Sequence, residues 1–204
     1  MRLVYPLVIG LLLLAFGRAQ AQEEIAPAIK AGEKPAAVEL AGFDEEKKEI
    51  EKEAVAAVVG EKKKYTIVEL FQTYCYACRQ NIALHLTGLI EKTGDVATYK
   101  LIAIRNPNVT PRNEFKREVQ DFFSQAPADL IPDASDEQKT RIAKVLPKVR
   151  VLMDSDRKAM RAFKVQYTPT LYVLDSEGKV VYGHVGSLEG QEDAKKAILK
   201  AVGK

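Results

Sequence analysis

Ile67-Val68-Glu69-Leu70-Phe71-Gln72-Thr73-Tyr74-Cys75-Tyr76-Ala77-Cys78 decides the fold of this chain. Its first half, Tyr65 to Gln72, is apolar and β-branched enough to read as a buried strand. Two cysteines follow at once, spaced Cys-x-x-Cys. Arg79 to Lys92 then has helical spacing, with Ile82, Leu86, Leu89 and Ile90 forming an apolar stripe, and Gly94 ends it. A strand therefore hands over to a helix at the cysteines. That junction puts Cys75 at the positive end of a helix dipole, where a thiol ionises more readily than a free one. Arg79 adds positive charge beside it. Cys78, one turn further in, is placed to resolve a mixed disulfide on Cys75.

Cys75 and Cys78 are the only cysteines. The loop they close is too short to restrain the unfolded chain much. The pair reads as a dithiol that is oxidised and reduced in place, forming a Cys75–Cys78 disulfide.

The N-terminus reads as a secretory signal over residues 1–21. Arg2 opens it, Leu3 to Phe16 is its apolar run, and Ala19-Gln20-Ala21 is its cleavage site. The run falls short of the ~20 apolar residues a bilayer span needs; an uncleaved segment would act as a membrane anchor instead. The whole chain has 31 basic and 28 acidic residues. Arg2 and Arg18 leave with the signal, so the mature balance is 29 against 28. That near-neutral mixture gives no case for nucleic acid. An exported protein meets an oxidising compartment, and the C-terminus lacks an ER-retention tetrapeptide, which favours the bacterial envelope or periplasm.

Residues 22–42 read as an N-terminal leader with one short edge strand. Asp44 to Val59 reads as a helix, with Asp44 as cap and Ile50, Ala54, Ala57 and Val58 as its stripe. Val96 to Ile104 is a strand. A segment of about 105–153 is inserted next. It contains a helix from Thr110 to about Gln125 that buries Phe115, Val119, Phe122 and Phe123, and a second opened by the capping box Ser135-x-x-Gln138. Strands at Val149–Asp154, Thr170–Asp175 and Lys179–Val185 follow, the last two as a hairpin. A short helix at Ser155–Phe163 and a closing helix at Gly190–Val202 complete the domain, 43–204. The expectation is an α/β three-layer sandwich: a central mixed sheet, helices on both faces and a helical insertion.

Three features in this order resemble the thioredoxin superfamily. They are the strand–Cys-x-x-Cys–helix unit, Tyr167-Thr168-Pro169-Thr170-Leu171-Tyr172-Val173, and the hairpin with Gly186 before the last helix. The signal, the insertion and the tail Asp175 to Gly186 are most similar to the TlpA/ResA-like exported thiol–disulfide oxidoreductases. The resemblance covers roughly Thr66 to Val202. It implies a cis proline at Pro169 beside the thiols, with the Thr168 backbone free to pair with a substrate strand. It matches Glu69 to a buried carboxylate that moves the inner cysteine's proton. Val68 and Leu70 are apolar and the strand is covered on both sides, so the residues themselves also point to a buried carboxyl with a raised pKa, a candidate general base.

The catalytic candidates are thus Cys75, Cys78 and Glu69; Thr168, Pro169, Tyr74 and Tyr76 are candidates for the substrate surface. No metal and no cofactor is expected. The partners expected are exported proteins with thiols or disulfides, together with an upstream envelope redox protein. The resemblance implies a reductant, often in cytochrome c maturation. Tyr74 replaces the family's usual Trp, and Ala77 its frequent Pro. Two other functions fit the same residues: a Cu(I)-binding metallochaperone using Cys75, Cys78 and His85, or a non-catalytic adaptor presenting the inserted helices. His184 reads as structural.

Overall fold

The structure is a computed structural model that describes residues 25–44, 46–57, 63–125 and 127–204. The signal segment and its cleavage site lie outside the described residues. In chain order the elements are β1 (Glu39–Phe43), β2 (Glu49–Ala54), β3 (Tyr65–Phe71), α1 (Tyr76–Gln80), a π-helical stretch Asn81–Leu86, α2 (Thr87–Thr93) and β4 (Ala97–Ile104). The insertion holds α3 (Phe115–Ser124), α4 (Pro127–Leu130), α5 (Asp136–Val145) and a 3-10 turn at Leu146–Lys148. Then come β5 (Arg150–Asp154), α6 (Lys158–Ala162), β6 (Thr170–Leu174), β7 (Val180–Val185) and α7 (Glu192–Ala201).

The strands form one mixed sheet in the order β2-β1-β5-β4-β3-β6-β7. β3, β4 and β5 run parallel, as helical crossovers between them require. β6 and β7 add an antiparallel hairpin on one side, and β1 and β2 add another on the other. Because side chains alternate along a strand, β3 feeds two cores. Ile67 and Phe71 enter the core under α1, α2, α3, α5 and α7, together with Cys78. Val68 and Leu70 enter the opposite core with Ala159, Phe163 and Tyr172. The expected three-layer α/β sandwich is the observed fold.

The insertion follows its predicted outline. Phe115, Val119 and Phe122 are buried, and Phe123 packs against them. The capping box at Ser135 forms with both of its hydrogen bonds. The first helix starts later than expected, at Phe115, because the Thr110 hydroxyl is turned to Glu118 and does not cap a helix.

The region 44–59 overturns the sequence expectation. No helix forms over its described residues; β2 occupies Glu49–Ala54 and is the sheet's edge, while β1 lies inside it. Asp44 does not cap a helix. Its carboxylate accepts from the Glu46 and Lys48 amides and closes a hairpin turn, with Lys47 at φ 63°. A buried charge outweighs helix propensity here. Lys100, in the middle of β4, is fully buried and donates to the Ala54 carbonyl (2.8 Å). Glu53 of β2 pairs with it at 2.7 Å and with Arg150 at 2.9 Å. Burial pulls the Lys100 pKa down, and Glu53 opposes that shift. An isolated lysine at this depth is costly, so β2 docks where Glu53 can meet it. Residues 25–42 also take part in the fold. Ile29 is buried, and Gly32 and Glu33 exchange backbone hydrogen bonds with Val180. Gly42 permits the β1–β5 contact, since a Cβ there would lie 2.1 Å from the Val151 carbonyl oxygen.

Candidate active site

Cys75 is the N-cap of α1 and is bridged to Cys78, with Cα atoms 5.2 Å apart. The Cys78 amide donates to the Cys75 sulfur at 3.2 Å, a polarised N–H placed to stabilise a thiolate there. Cys75 is half-buried and Cys78 fully buried. The two sulfurs thus differ in access to solvent.

Thr168–Pro169 is a cis peptide. The Thr168 carbonyl oxygen lies 3.8 Å from the Cys75 sulfur. The Gly186 amide donates to the Pro169 carbonyl at 2.8 Å, with Gly186 at φ 100°, so the start of α7's approach loop holds the proline loop against the cysteines. Tyr74 and Tyr76 are exposed beside Cys75, as is Tyr167 on the facing loop. The Tyr74 hydroxyl accepts from the Asn106 amide at 2.7 Å, and that of Tyr76 from Gln80 at 3.2 Å. The result is an aromatic rim around a half-buried sulfur.

Glu69 is fully buried. It lies on the same side of β3 as Ile67 and Phe71, and its partners across the sheet are Leu101 and Leu171. Four apolar side chains therefore surround its strand position. Burial pushes its pKa up to about 8, against one opposing influence, the hydrogen bond from Asn81. The Asn81 amide nitrogen donates to Glu69 Oε2 at 2.9 Å, whereas Oε1 is buried without a partner. Asn81 follows Cys78 by one helical turn, so the carboxyl sits next to the turn that carries the inner cysteine.

Sequence reasoning missed Asn81. Its signal was available: a polar residue three after Cys78, on the face that buries Ile82. It also left Arg79 as a nearby charge. In the structure Arg79 turns back, donates through Nε to the Thr73 carbonyl (2.9 Å) and lies over the Phe122 ring, 5.6 Å from its centroid. Thr73 is held from a second side, its hydroxyl donating to Glu118 of α3; the Thr110 hydroxyl donates to the same carboxylate. A cleft of about 420 Å³ lies between this loop and the insertion, bounded by Tyr74, Arg79, Val109, Glu114 and Asp121.

His85 is half-buried in the π-helical stretch. Burial lowers its pKa first, and Lys195 lowers it further, against Glu189 and Glu192. Its charged neighbours thus belong to α7 and the loop before it. Among the described residues no group of three His, Cys, Asp or Glu side chains is placed to hold a metal ion. His184 is buried in β7, with Nε2 3.4 Å from the Ser187 carbonyl.

No protein-family model matches the chain, and no curated protein matches it in sequence. Solved structures do match. A protein assigned as thiol:disulfide interchange protein DsbE from Chlorobium tepidum is 17% identical with a TM-score of 0.55, covering 86% of this chain and 100% of that one. The exposed lipoprotein thioredoxin Etrx1 of Streptococcus pneumoniae is 17% identical with a TM-score of 0.52, covering 81% and 98%. The mitochondrial 2-Cys peroxiredoxin of Plasmodium falciparum is 14% identical with a TM-score of 0.52, covering 86% and 98%. Proteins of differing activity share this architecture, so the likeness speaks to the fold. The chain has the thioredoxin-like α/β fold, carrying a bridged Cys-x-x-Cys pair at the start of its first helix.

Proposed function

We propose that the chain is an exported thiol–disulfide oxidoreductase of the TlpA/ResA-like kind, acting as a reductant of envelope proteins. One observation carries this reading: the Cys75 sulfur is half-exposed at a helix start, within reach of the Cys78 amide and the Thr168 carbonyl, while its partner sulfur is buried. Export is supported by the N-terminal sequence and by the likeness to an exposed lipoprotein thioredoxin. No helix among the described residues is long and apolar enough to cross a membrane.

In the reducing direction the Cys75 thiolate attacks one sulfur of a substrate disulfide. A Cys75–substrate bond forms, the substrate S–S bond breaks, and the departing thiolate takes a proton from water. Cys78 then gives its proton to the Glu69 carboxylate and attacks Cys75. The Cys75–Cys78 bond forms and the second substrate thiolate leaves, to be protonated by solvent. The protein has lost two electrons and the substrate has gained them. An upstream dithiol must reduce the pair again.

The Thr168 backbone beside the Cys75 sulfur and the exposed Tyr74, Tyr76 and Tyr167 suit a polypeptide substrate laid along the proline loop. The test is to measure reduction of a disulfide-bonded peptide by the wild type and by Cys75→Ser, and to titrate the Cys75/Cys78 couple. Loss of turnover in Cys75→Ser with a potential near −270 mV supports a reductant; a potential near −120 mV means an oxidant. Normal turnover in Cys75→Ser removes the mechanism.

A further inference from the structure

The Glu69 carboxyl does not stand alone in the core; a buried amide fixes its rotation. Asn81 is itself fully buried and has two partners. Its Oδ1 accepts from the Leu188 backbone amide at 2.8 Å. A backbone N–H can only donate, so that contact settles which end of the side chain is oxygen. The NH₂ end must then face Glu69, and it does, at 2.9 Å from Oε2. A carbonyl oxygen accepts from an N–H better than a hydroxyl oxygen does, so the donor facing Oε2 favours that atom as the carbonyl oxygen of the neutral acid. In the neutral acid the hydrogen is thereby favoured on Oε1, the buried oxygen without a partner.

We propose that Asn81 is a positioning residue for Glu69. It holds Oε2 as a permanent acceptor, so that every proton the carboxyl takes or gives passes through Oε1. The proposal rests on the thiol–disulfide reading for its use: the proton from Cys78 arrives on Oε1 as the Cys75–Cys78 bond forms, and leaves from it when the bond opens. Asn81 has a second effect. It is the one neighbour that offsets burial in favour of the ionised carboxyl, so it keeps the base available in the dithiol state. No charged side chain contributes to the Glu69 shift, whose causes are burial and this hydrogen bond. Through Leu188, itself buried, the same amide ties the carboxyl to the loop that leads into α7.

The test reads the titration of Glu69 in the oxidised protein, where no turnover is needed. In the wild type, the Glu69 side-chain carbon and the Asn81 side-chain nitrogen are followed by NMR across pH 5–10. Both should move with one midpoint; an Asn81 nitrogen that stays still while Glu69 titrates overturns the proposal. In Asn81→Leu the Glu69 midpoint should rise by about one pH unit, the loss expected for one hydrogen bond to a charged group. An unchanged midpoint in folded Asn81→Leu likewise overturns it. If that variant does not fold, the wild-type titration decides alone. Exchange kinetics separate this proposal from the broader one. A shared midpoint in a protein without disulfide exchange supports the positioning by Asn81 and removes the oxidoreductase reading. Exchange by a protein in which Asn81 ignores Glu69 does the reverse.

Discussion

Glu118 of the inserted helix accepts a hydrogen bond from the hydroxyl of Thr73, two residues before Cys75. The same carboxylate accepts from Thr110 at the insertion's entry. Arg79 completes the connection, reaching the Thr73 carbonyl while lying over Phe122. The insertion is thereby built into the loop that sets the position of Cys75.

Removing the Glu118 carboxyl should loosen that loop. Glu118→Ala is expected to lower kcat/KM for a disulfide peptide about tenfold, as small misplacements of a reacting group do. Glu118→Gln keeps an acceptor for Thr73 and should retain most of the rate. Equal rates in Glu118→Ala and the wild type would show that α3 does not position the thiol.

The Glu69 pKa gives a pH dependence with a definite sign. Its folded value, about 8, lies above the ordinary 4.5. Between those values the unfolded chain releases a proton that the folded chain keeps. Stability should therefore fall as pH rises from about 5 to 8, with a slope of at most about 1.4 kcal/mol per pH unit. Glu69→Gln has no proton to lose and should flatten the decline. Urea titrations of both proteins at several pH values measure it.

Gly186 joins the backbone of the proline loop to the segment that leads from β7 into α7. Its φ of 100° suits glycine, and its amide holds the Pro169 carbonyl. Gly186→Ala should cost about 1–3 kcal/mol of stability and slow exchange more than it weakens folding, because Thr168 moves relative to the Cys75 sulfur. Thermal melts together with exchange kinetics separate the two effects.

Much of this arrangement was legible in the sequence. The β3–Cys75–α1 junction, the cis Pro169 and the buried Glu69 were each readable from local pattern or from the order of motifs. The hairpin at 39–54 was not. Its acids and alanines have helical spacing, and only the buried Lys100, about fifty residues later in the chain, explains why Glu53 belongs to a strand. Asn81 and Glu118 were hidden for a related reason: each matters through a partner remote in sequence, Leu188 in one case and Thr73 in the other.

The Lys100 cluster has its own consequence. Glu53→Ala leaves a buried ammonium without its carboxylate and should cost about 3 kcal/mol, measured as a lower urea midpoint with an unchanged slope. A cost below about 0.5 kcal/mol, the range of ordinary surface changes, would mean that water or Arg150 rearrangement relieves the charge.

Trapping the intermediate tests the exchange mechanism most directly. Reduced Cys78→Ser is mixed with a disulfide-bonded peptide, and the products are resolved by mass spectrometry. A stable mixed disulfide through Cys75 should accumulate, while Cys75→Ser should form none. No adduct on Cys75, or an equal adduct on Cys78 in Cys75→Ser, would contradict the assignment of the half-exposed sulfur as the nucleophile.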